Sequence, residues 1–482
     1  MLNKLTIKQA LEGLRNKKFS SLELIKDCFQ RIEEQDKKLG AFLALNLKEA
    51  LKKAETLDKE GQYLKSLSGI PVCIKDVLVT KGIETTAGSK MLKGFIPPYQ
   101  ATAVKRLTDE ESVIIGKGNC DGFAFGASGE NSGFFPTHNP WNLDRVPGGS
   151  SSGPAAAVAA DEVIYALGTD TGGSVRQPAS FCGIVGLKIT YGRSSRYGLI
   201  AMASSFDTPG PLTKTVEDAA LVLKIIAGQD PLDATSSPKP VDDYLVNLKK
   251  GVKGLKIGMP SQYFVEGSQL EVNQAVKKAA LLLESLGAEL IEISLPHTEF
   301  GLAVYYILVP SEISANMARY DGIRFGHHSS KGNDALEVTA FSRDETLEDE
   351  LKRRIMIGTY SLSSGYYEAY YKKASQVRSL IIKDFQKAYE KVDAILSPTS
   401  PTTAFKLGEK SQDPLEMYLS DIFTVSANVA GIPSISLPCG FDQEGLPIGL
   451  QIMGNYFEES KILQIAYTYE QATDWLSKKP KL

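Results

Sequence analysis

The chain has 482 residues, 43% of them hydrophobic, enough to bury a large core, so it is a folded globular protein. Its 54 Lys and Arg stand against 57 Asp and Glu, a formal charge of -3, which excludes the single-sign field of a protein that grips polyanions unaided. The five cysteines (Cys28, Cys73, Cys120, Cys182, Cys439) are scattered and lack CxxC pairing, which argues for buried thiols over a disulfide framework or zinc module; with no apolar leader and no long apolar run, the cytoplasm is the expected location.

Residues 4–16 and 20–37 have the spacing of surface helices, the second opened by Ser20 and Glu23 as a capping box, and 44–65 continues the helical charge pattern. GIPVCIKDVLVTKG (69–82) reads as strand and ordered loop, 101–110 as a helix, and 112–119 as a strand ending in a glycine turn. Residues 153–160 form a small-residue helix, and 163–170 is the continuous apolar run of a strand buried on both faces. Thr215 and Asp218 cap a helix that stops at Gly228. Residues 255–260, 269–286 and 288–296 read as strand, helix and strand, with Ser268 and Glu271 as a capping box, so the class is α/β. Helices follow at 349–361 and 365–391, strands at 392–401 and 445–454, and a closing helix at 457–475. No internal repeat or clear linker divides the chain, and 233–240 reads as an excursion within one domain, 1–482.

Two clusters bracket the small-residue helix and the strand after it: PGGSSSGPAAA (147–157) and GTDTGGSVRQPAS (168–180). Helix out and strand back would set them side by side at one edge of the sheet. Gly172 and Gly173 remove two Cβ atoms ahead of Ser174, so the backbone can bend tightly with converging N–H groups, the form of a nucleophile beside an oxyanion hole. Either cluster alone also fits a turn or a phosphate cradle, but neither matches GxxxxGK[ST] or GxGxxG. A histidine is the usual activator of a serine, yet His138, His297, His327 and His328 lie in no recognisable partner motif. Lys75 is the alternative base: it follows Ile70, Val72, Cys73 and Ile74, and burial would bring its pKa toward neutrality. Read in isolation, the same segment fits a lysine emerging at a strand end beside Asp76.

Residues 148–183, with IPVCIKD at 70–76, resemble the amidase signature family. The resemblance implies a large, mostly mixed central β-sheet covered by helices on both faces, with a core catalytic segment at 65–215 and substrate-pocket elements at 300–455. It implies a Ser-Ser-Lys triad in which Ser174 is the nucleophile, Ser150 the bridging serine on a cis peptide at Gly149–Ser150 or its neighbour, and Lys75 the base behind Ser150. Backbone N–H groups of Thr171, Gly172, Gly173 and Ser174 would form the oxyanion hole, Asp170 and Arg176 would brace the turn as a charged pair, and Ser151 would support it.

Stretches outside the signature, at 305–326, 351–367, 418–440 and 445–454, resemble the glutaminase branch of that family, which supplies ammonia to tRNA-dependent amidotransferases. Free glutamine carries an ammonium and a carboxylate besides its amide, so a selective pocket needs one acid and one base. The resemblance sets Asp421 toward the ammonium, Arg354 toward the carboxylate and Tyr305 as a polar aromatic contact, with Tyr306 in its place if the register slips. It further implies no metal or cofactor in this chain, ATP and Mg2+ in a larger tRNA-binding partner subunit, and a small third subunit completing a heterotrimer. The product would be Gln-tRNA(Gln) from Glu-tRNA(Gln), or Asn-tRNA(Asn) from Asp-tRNA(Asn). The lack of a P-loop or basic tract agrees with that division of labour. A stand-alone amidase for small aliphatic or aryl amides is the alternative, because the triad alone fits both.

Overall fold

Short apolar runs bounded by glycine and proline become the strands of one sheet in the computed structural model, which describes residues 1–264, 267–411 and 413–482. They are β1 (Phe42–Leu45), β2 (Pro71–Lys75), β3 (Val113–Gly118), β4 (Tyr165–Asp170), β5 (Val185–Lys188), β6 (Thr208–Thr213), β7 (Lys256–Pro260), β8 (Glu289–Ile293), β9 (Ala394–Pro398), β10 (Ser434–Phe441) and β11 (Pro447–Met453). The order across the sheet is β1-β3-β2-β4-β6-β5-β10-β11-β9-β7-β8. Strands β3, β2 and β4 run parallel, as do β9, β7 and β8, while the pairings between these sets are antiparallel. The sheet is therefore mixed, and helices cover both faces over three hydrophobic clusters. The expected β7–helix–β8 unit forms as a parallel pair around helix Leu270–Ser285.

Strands β2 and β4 are buried along their whole length, as their largely apolar runs require. Helix Ser152–Ala159 packs against both, and its small side chains permit close approach: a Cβ on Gly118 of β3 would run into Cys73 Sγ and the Pro154 ring. The capping box of helix Ser21–Leu39 forms as expected, with Glu23 N–H donating to Ser20 Oγ at 3.1 Å and Ser20 N–H to Glu23 Oε2 at 2.7 Å.

Three expectations need correction. The helical pattern at 44–65 begins with β1, and the helix spans Leu47–Glu60. Ser268 and Glu271 form no capping box: Gln269 is the N-cap, its N–H donating to Pro401 O at 2.9 Å, so a tertiary contact displaces the local cap. The two serine clusters meet at the C-terminal ends of interior strands, since β2 and β4 are third and fourth in the sheet and not at its edge.

Candidate active site

Lys75 is the last residue of β2 and Asp170 the last of its parallel neighbour β4, so the loops leaving both strands share one end of the sheet. The Lys75 side chain is fully buried, its Nζ 2.8 Å from Ser150 Oγ and 2.9 Å from Thr169 Oγ1. Burial lowers its pKa to about 8, and the carboxylates of Asp121, Asp170 and Asp207 pull it only partway back. Ser150 follows a cis peptide bond, Gly149–Ser150, and Gly149 N–H donates to Gln177 Oε1 at 2.9 Å. Ser151 joins the clusters: its N–H donates to the Ser174 carbonyl at 3.2 Å and its hydroxyl to the Thr169 carbonyl at 3.1 Å. The Ser174 hydroxyl has no protein hydrogen-bond partner among the described residues, and the residue is 8% exposed, so the group is open to a substrate. Each histidine is engaged elsewhere: His138 with the Leu143 carbonyl, His297 with Asp384, His327 with Glu345 and His328 with the Gly322 carbonyl.

The turn before Ser174 is held by Asp170. Its carboxylate accepts the N–H groups of Gly173 and Val175 at 3.0 and 3.1 Å and a two-pronged contact from Arg176, both bonds 3.0 Å. Gly173 is thus a correction to the expected oxyanion hole, because its N–H is already satisfied. The N–H groups of Thr171, Gly172 and Ser174 have no acceptor among the described residues. Both glycines are required by shape: Gly173 has φ +141°, and a Cβ on Gly172 would fall on the Tyr305 hydroxyl.

Arg176 and Asp170 are wholly buried, and Arg176 also donates to the Thr424 carbonyl (3.1 Å), Gln451 Oε1 (2.7 Å) and Asn428 Oδ1 (2.5 Å). Burial alone would raise the Asp170 pKa, but Arg176 outweighs it and holds the carboxyl at about 2. Replacing Arg176 with Leu strands that charge, and is expected to cost about 3–5 kcal/mol of stability. The urea unfolding midpoint measures it; an unchanged midpoint would refute the bracing role.

Three segments carry the other expected site residues. Helix Gly301–Met317 carries Tyr305 and Tyr306, and helix Asp349–Leu362 carries Arg354. They cross where Gly358 meets the Pro310 carbonyl, a contact with no room for a Cβ. Arg354 is 3% exposed, its Nε donates to Glu350 Oε1 at 2.7 Å, and its guanidinium lies over the rings of Tyr306 and Tyr418 at 5.2 and 5.4 Å. Its two terminal nitrogens have no acceptor among the described residues. Asp421 is 7% exposed, and its carboxylate receives one long hydrogen bond, from the Tyr306 hydroxyl at 3.5 Å. Burial pushes its pKa to about 7, against the pull of Arg354. Thr424 ties this segment to the Ser174 turn, its one hydroxyl hydrogen shared between the carbonyls of Gly172 (2.6 Å) and Asp421 (3.0 Å). Tyr305 lies against Gly172, and Tyr306 lies beside Asp421 and Arg354.

A buried lysine bonded to Ser150, whose chain neighbour Ser151 is bonded to the backbone of a second serine with an unbonded hydroxyl, is an arrangement suited to acyl transfer, and the profile of the family described as Amidase matches residues 23–463. The chain belongs to the amidase family. It is 55% identical over 484 aligned residues to a glutamyl-tRNA(Gln) amidotransferase subunit of Thermodesulfovibrio yellowstonii, with 100% of both chains covered. The crystal structure of the corresponding subunit from Thermotoga maritima superposes with a TM-score of 0.83 at 40% identity, covering 100% of this chain and 98% of that one. A bacterial aryl acylamidase of the amidase signature family gives a TM-score of 0.86 at 25% identity, covering 98% and 97%. The aryl acylamidase comparison shows that the scaffold is shared by amidases of different substrates.

Among the described residues of this amidase, no group of three or more His, Cys, Asp or Glu could hold a metal ion, and no helix is long and apolar enough to cross a membrane. A cavity of about 830 Å3 between helices Ser21–Leu39 and Leu47–Glu60 carries no hydroxyl or thiol in its lining. Thr169, Thr424, Asn428 and Gln451 are site residues that sequence reasoning missed; each is a buried polar side chain hydrogen-bonded to Lys75, the Ser174 turn or Arg176. Their only trace in the sequence is a polar residue in or beside an apolar segment, a weak signal on its own.

Proposed function

We infer that this chain, acting as one domain over residues 1–482, is the glutamine-hydrolysing subunit of a tRNA-dependent amidotransferase. It releases ammonia for conversion of Glu-tRNA(Gln) to Gln-tRNA(Gln). The observation that carries the choice of substrate is the pair Arg354 and Asp421. A buried acid and a buried base both lie against Tyr306, the acid linked to the Ser174 turn through Thr424, and Arg354 pairs with Glu350 rather than with Asp421. Free glutamine offers a carboxylate and an ammonium to such a pair, while a simple aliphatic or aryl amide offers neither. The similarity to glutamyl-tRNA(Gln) amidotransferase subunits supports the same reading along the whole chain.

In the reaction, neutral Lys75 takes the Ser150 proton as Ser150 takes that of Ser174, and Ser174 Oγ attacks the side-chain amide carbon of glutamine. The developing oxyanion meets the N–H groups of Thr171, Gly172 and Ser174, each worth about 2.7–4 kcal/mol by comparison with other oxyanion holes. The relay reverses to protonate the leaving nitrogen, ammonia departs, and water then cleaves the glutamyl ester to glutamate. ATP, Mg2+ and the aminoacylated tRNA belong to the larger partner subunit in this reading, with a small third subunit completing the complex.

Arg354→Gln and Asp421→Asn should each raise the KM for glutamine about tenfold to a hundredfold, since a charged hydrogen bond is worth about 1.5–3 kcal/mol. Hydrolysis of butyramide, which lacks both charges, should change little. Equal losses on both substrates would refute the assignment. Rapid butyramide turnover by a chain that ignores glutamine and brings down no partner subunits would favour the stand-alone amidase.

A further inference from the structure

The nucleophile turn is clamped at two ends, and only one clamp belongs to the Asp170–Arg176 pair. Beyond the last rung of the β4–β6 ladder, Asp170 opposite Thr208, the chains diverge into Thr171 on one side and Asp207 on the other. There the Thr171 hydroxyl donates to Asp207 Oδ1 at 2.7 Å, and both side chains are 2% exposed. The same carboxylate accepts the N–H of Met202 at 3.0 Å and that of Ala203 at 3.1 and 3.2 Å. Asp207 has no salt-bridge partner among the described residues; its carboxylate is held by these donors and feels Lys75 only at longer range.

The segment that Asp207 gathers also touches the substrate helix Gly301–Met317. Asn316 Nδ2 donates to the Met202 carbonyl at 3.0 Å, Ser205 N–H donates to Glu312 Oε2 at 2.9 Å, and Phe206 packs edge-on against Tyr305. With Thr171 fixed through its side chain, its backbone N–H is left free of acceptors, next to that of Gly172, whose carbonyl is held by Thr424.

We propose that Asp207 is a positioning residue for the oxyanion hole: through the Thr171 hydroxyl it fixes the orientation of the Thr171 and Gly172 N–H groups. This rests on the reading of Ser174 as the nucleophile. Asp207 touches no reacting atom; its effect reaches the substrate through the donor it orients. Removing a comparable donor outright costs about 10²–10³ in kcat, so letting one drift should cost about tenfold to a hundredfold.

The test uses the full chain co-purified with its partner subunits. Thr171→Val keeps shape but deletes the donor, Thr171→Ser keeps the hydroxyl, and Asp207→Asn weakens the acceptor. Thr171→Val is expected to lower kcat for glutamine by about tenfold to a hundredfold with KM changed less than about threefold. Affinity for a glutamine-derived aldehyde, whose adduct with Ser174 carries the oxyanion, should fall by the same factor while L-glutamate binding stays constant. Thr171→Ser should restore kcat to within about threefold, and the Thr171→Val/Asp207→Asn double variant should be little worse than the poorer single one. A Thr171→Val enzyme with near-normal kcat, or with a loss confined to KM and unchanged aldehyde affinity, overturns the proposal. If Ser174→Ala itself retains turnover, the reading beneath it fails instead.

Discussion

Ser174→Ala is expected to lower glutamine hydrolysis by on the order of 10⁴–10⁶, as loss of the nucleophile does in other serine hydrolases. Glutamine affinity should change little, because Arg354 and Asp421 lie on other segments and remain in place. The magnitude follows from what the variant keeps. The acceptor-free N–H groups of the turn survive, so some catalysis over water remains, but no acyl-enzyme can form. A diazoketone analogue of glutamine should label the peptide containing TDTGGSVR in the parent protein and leave the variant unlabelled. Ser150→Ala breaks the relay one step back and should cost about 10²–10⁴, the usual range for general acid–base assistance. An active Ser174→Ala protein would remove Ser174 from the chemistry, and a Ser150 variant with normal turnover would remove the relay.

The signature region was legible because its chemistry and its fold use the same residues. β2 and β4 are buried on both faces, so their sequences are largely apolar runs, and Lys75, which ends the first of them, stands out. Gly172 and Gly173 mark a turn that no other residue could make against Tyr305 and Thr424. β6 was invisible for the opposite reason. Its TPGPLT sequence reads as a loop, since proline cannot donate to a ladder. Yet Pro209 and Pro211 lie opposite Thr169 and Leu167 of β4, and β5 joins only at Leu212 and Thr213, so beside both prolines one side of the strand has no partner that needs a donor. Asp207 was lost with that strand, because nothing local links it to a threonine 36 residues earlier.

The oxyanion turn shows where sequence reasoning stops. Four consecutive N–H groups are equivalent on paper, and only the Asp170 side chain folding back on Gly173 separates them. Likewise, Arg354 and Asp421 could be named by resemblance, but their value to a substrate depends on Arg354 pairing with Glu350 and leaving Asp421 without a cation within salt-bridge range among the described residues. Such facts depend on side-chain geometry between distant segments, and hydrophobic periodicity carries no record of them.

The pH dependence of this enzyme should resolve into two limbs belonging to different steps. As the proposed base, Lys75 can act only when neutral, and burial sets its pKa at about 8, so kcat should climb with pH below that value and level off above it. Asp421 must be ionised to meet the substrate ammonium. Burial sets its pKa at about 7, so it becomes neutral as pH falls through 7, and KM for glutamine should rise there. Once glutamine is bound, its ammonium keeps Asp421 ionised, which confines that limb to kcat/KM. Lys75→Ala should therefore lower kcat by about 10³–10⁴ and abolish the limb near 8, since no group remains to take the proton from Ser150. Its KM should still rise below 7. Asp421→Asn should show the converse, a raised and pH-independent KM with the kcat limb intact. A Lys75→Ala enzyme that kept the limb near 8 would assign the base to another group.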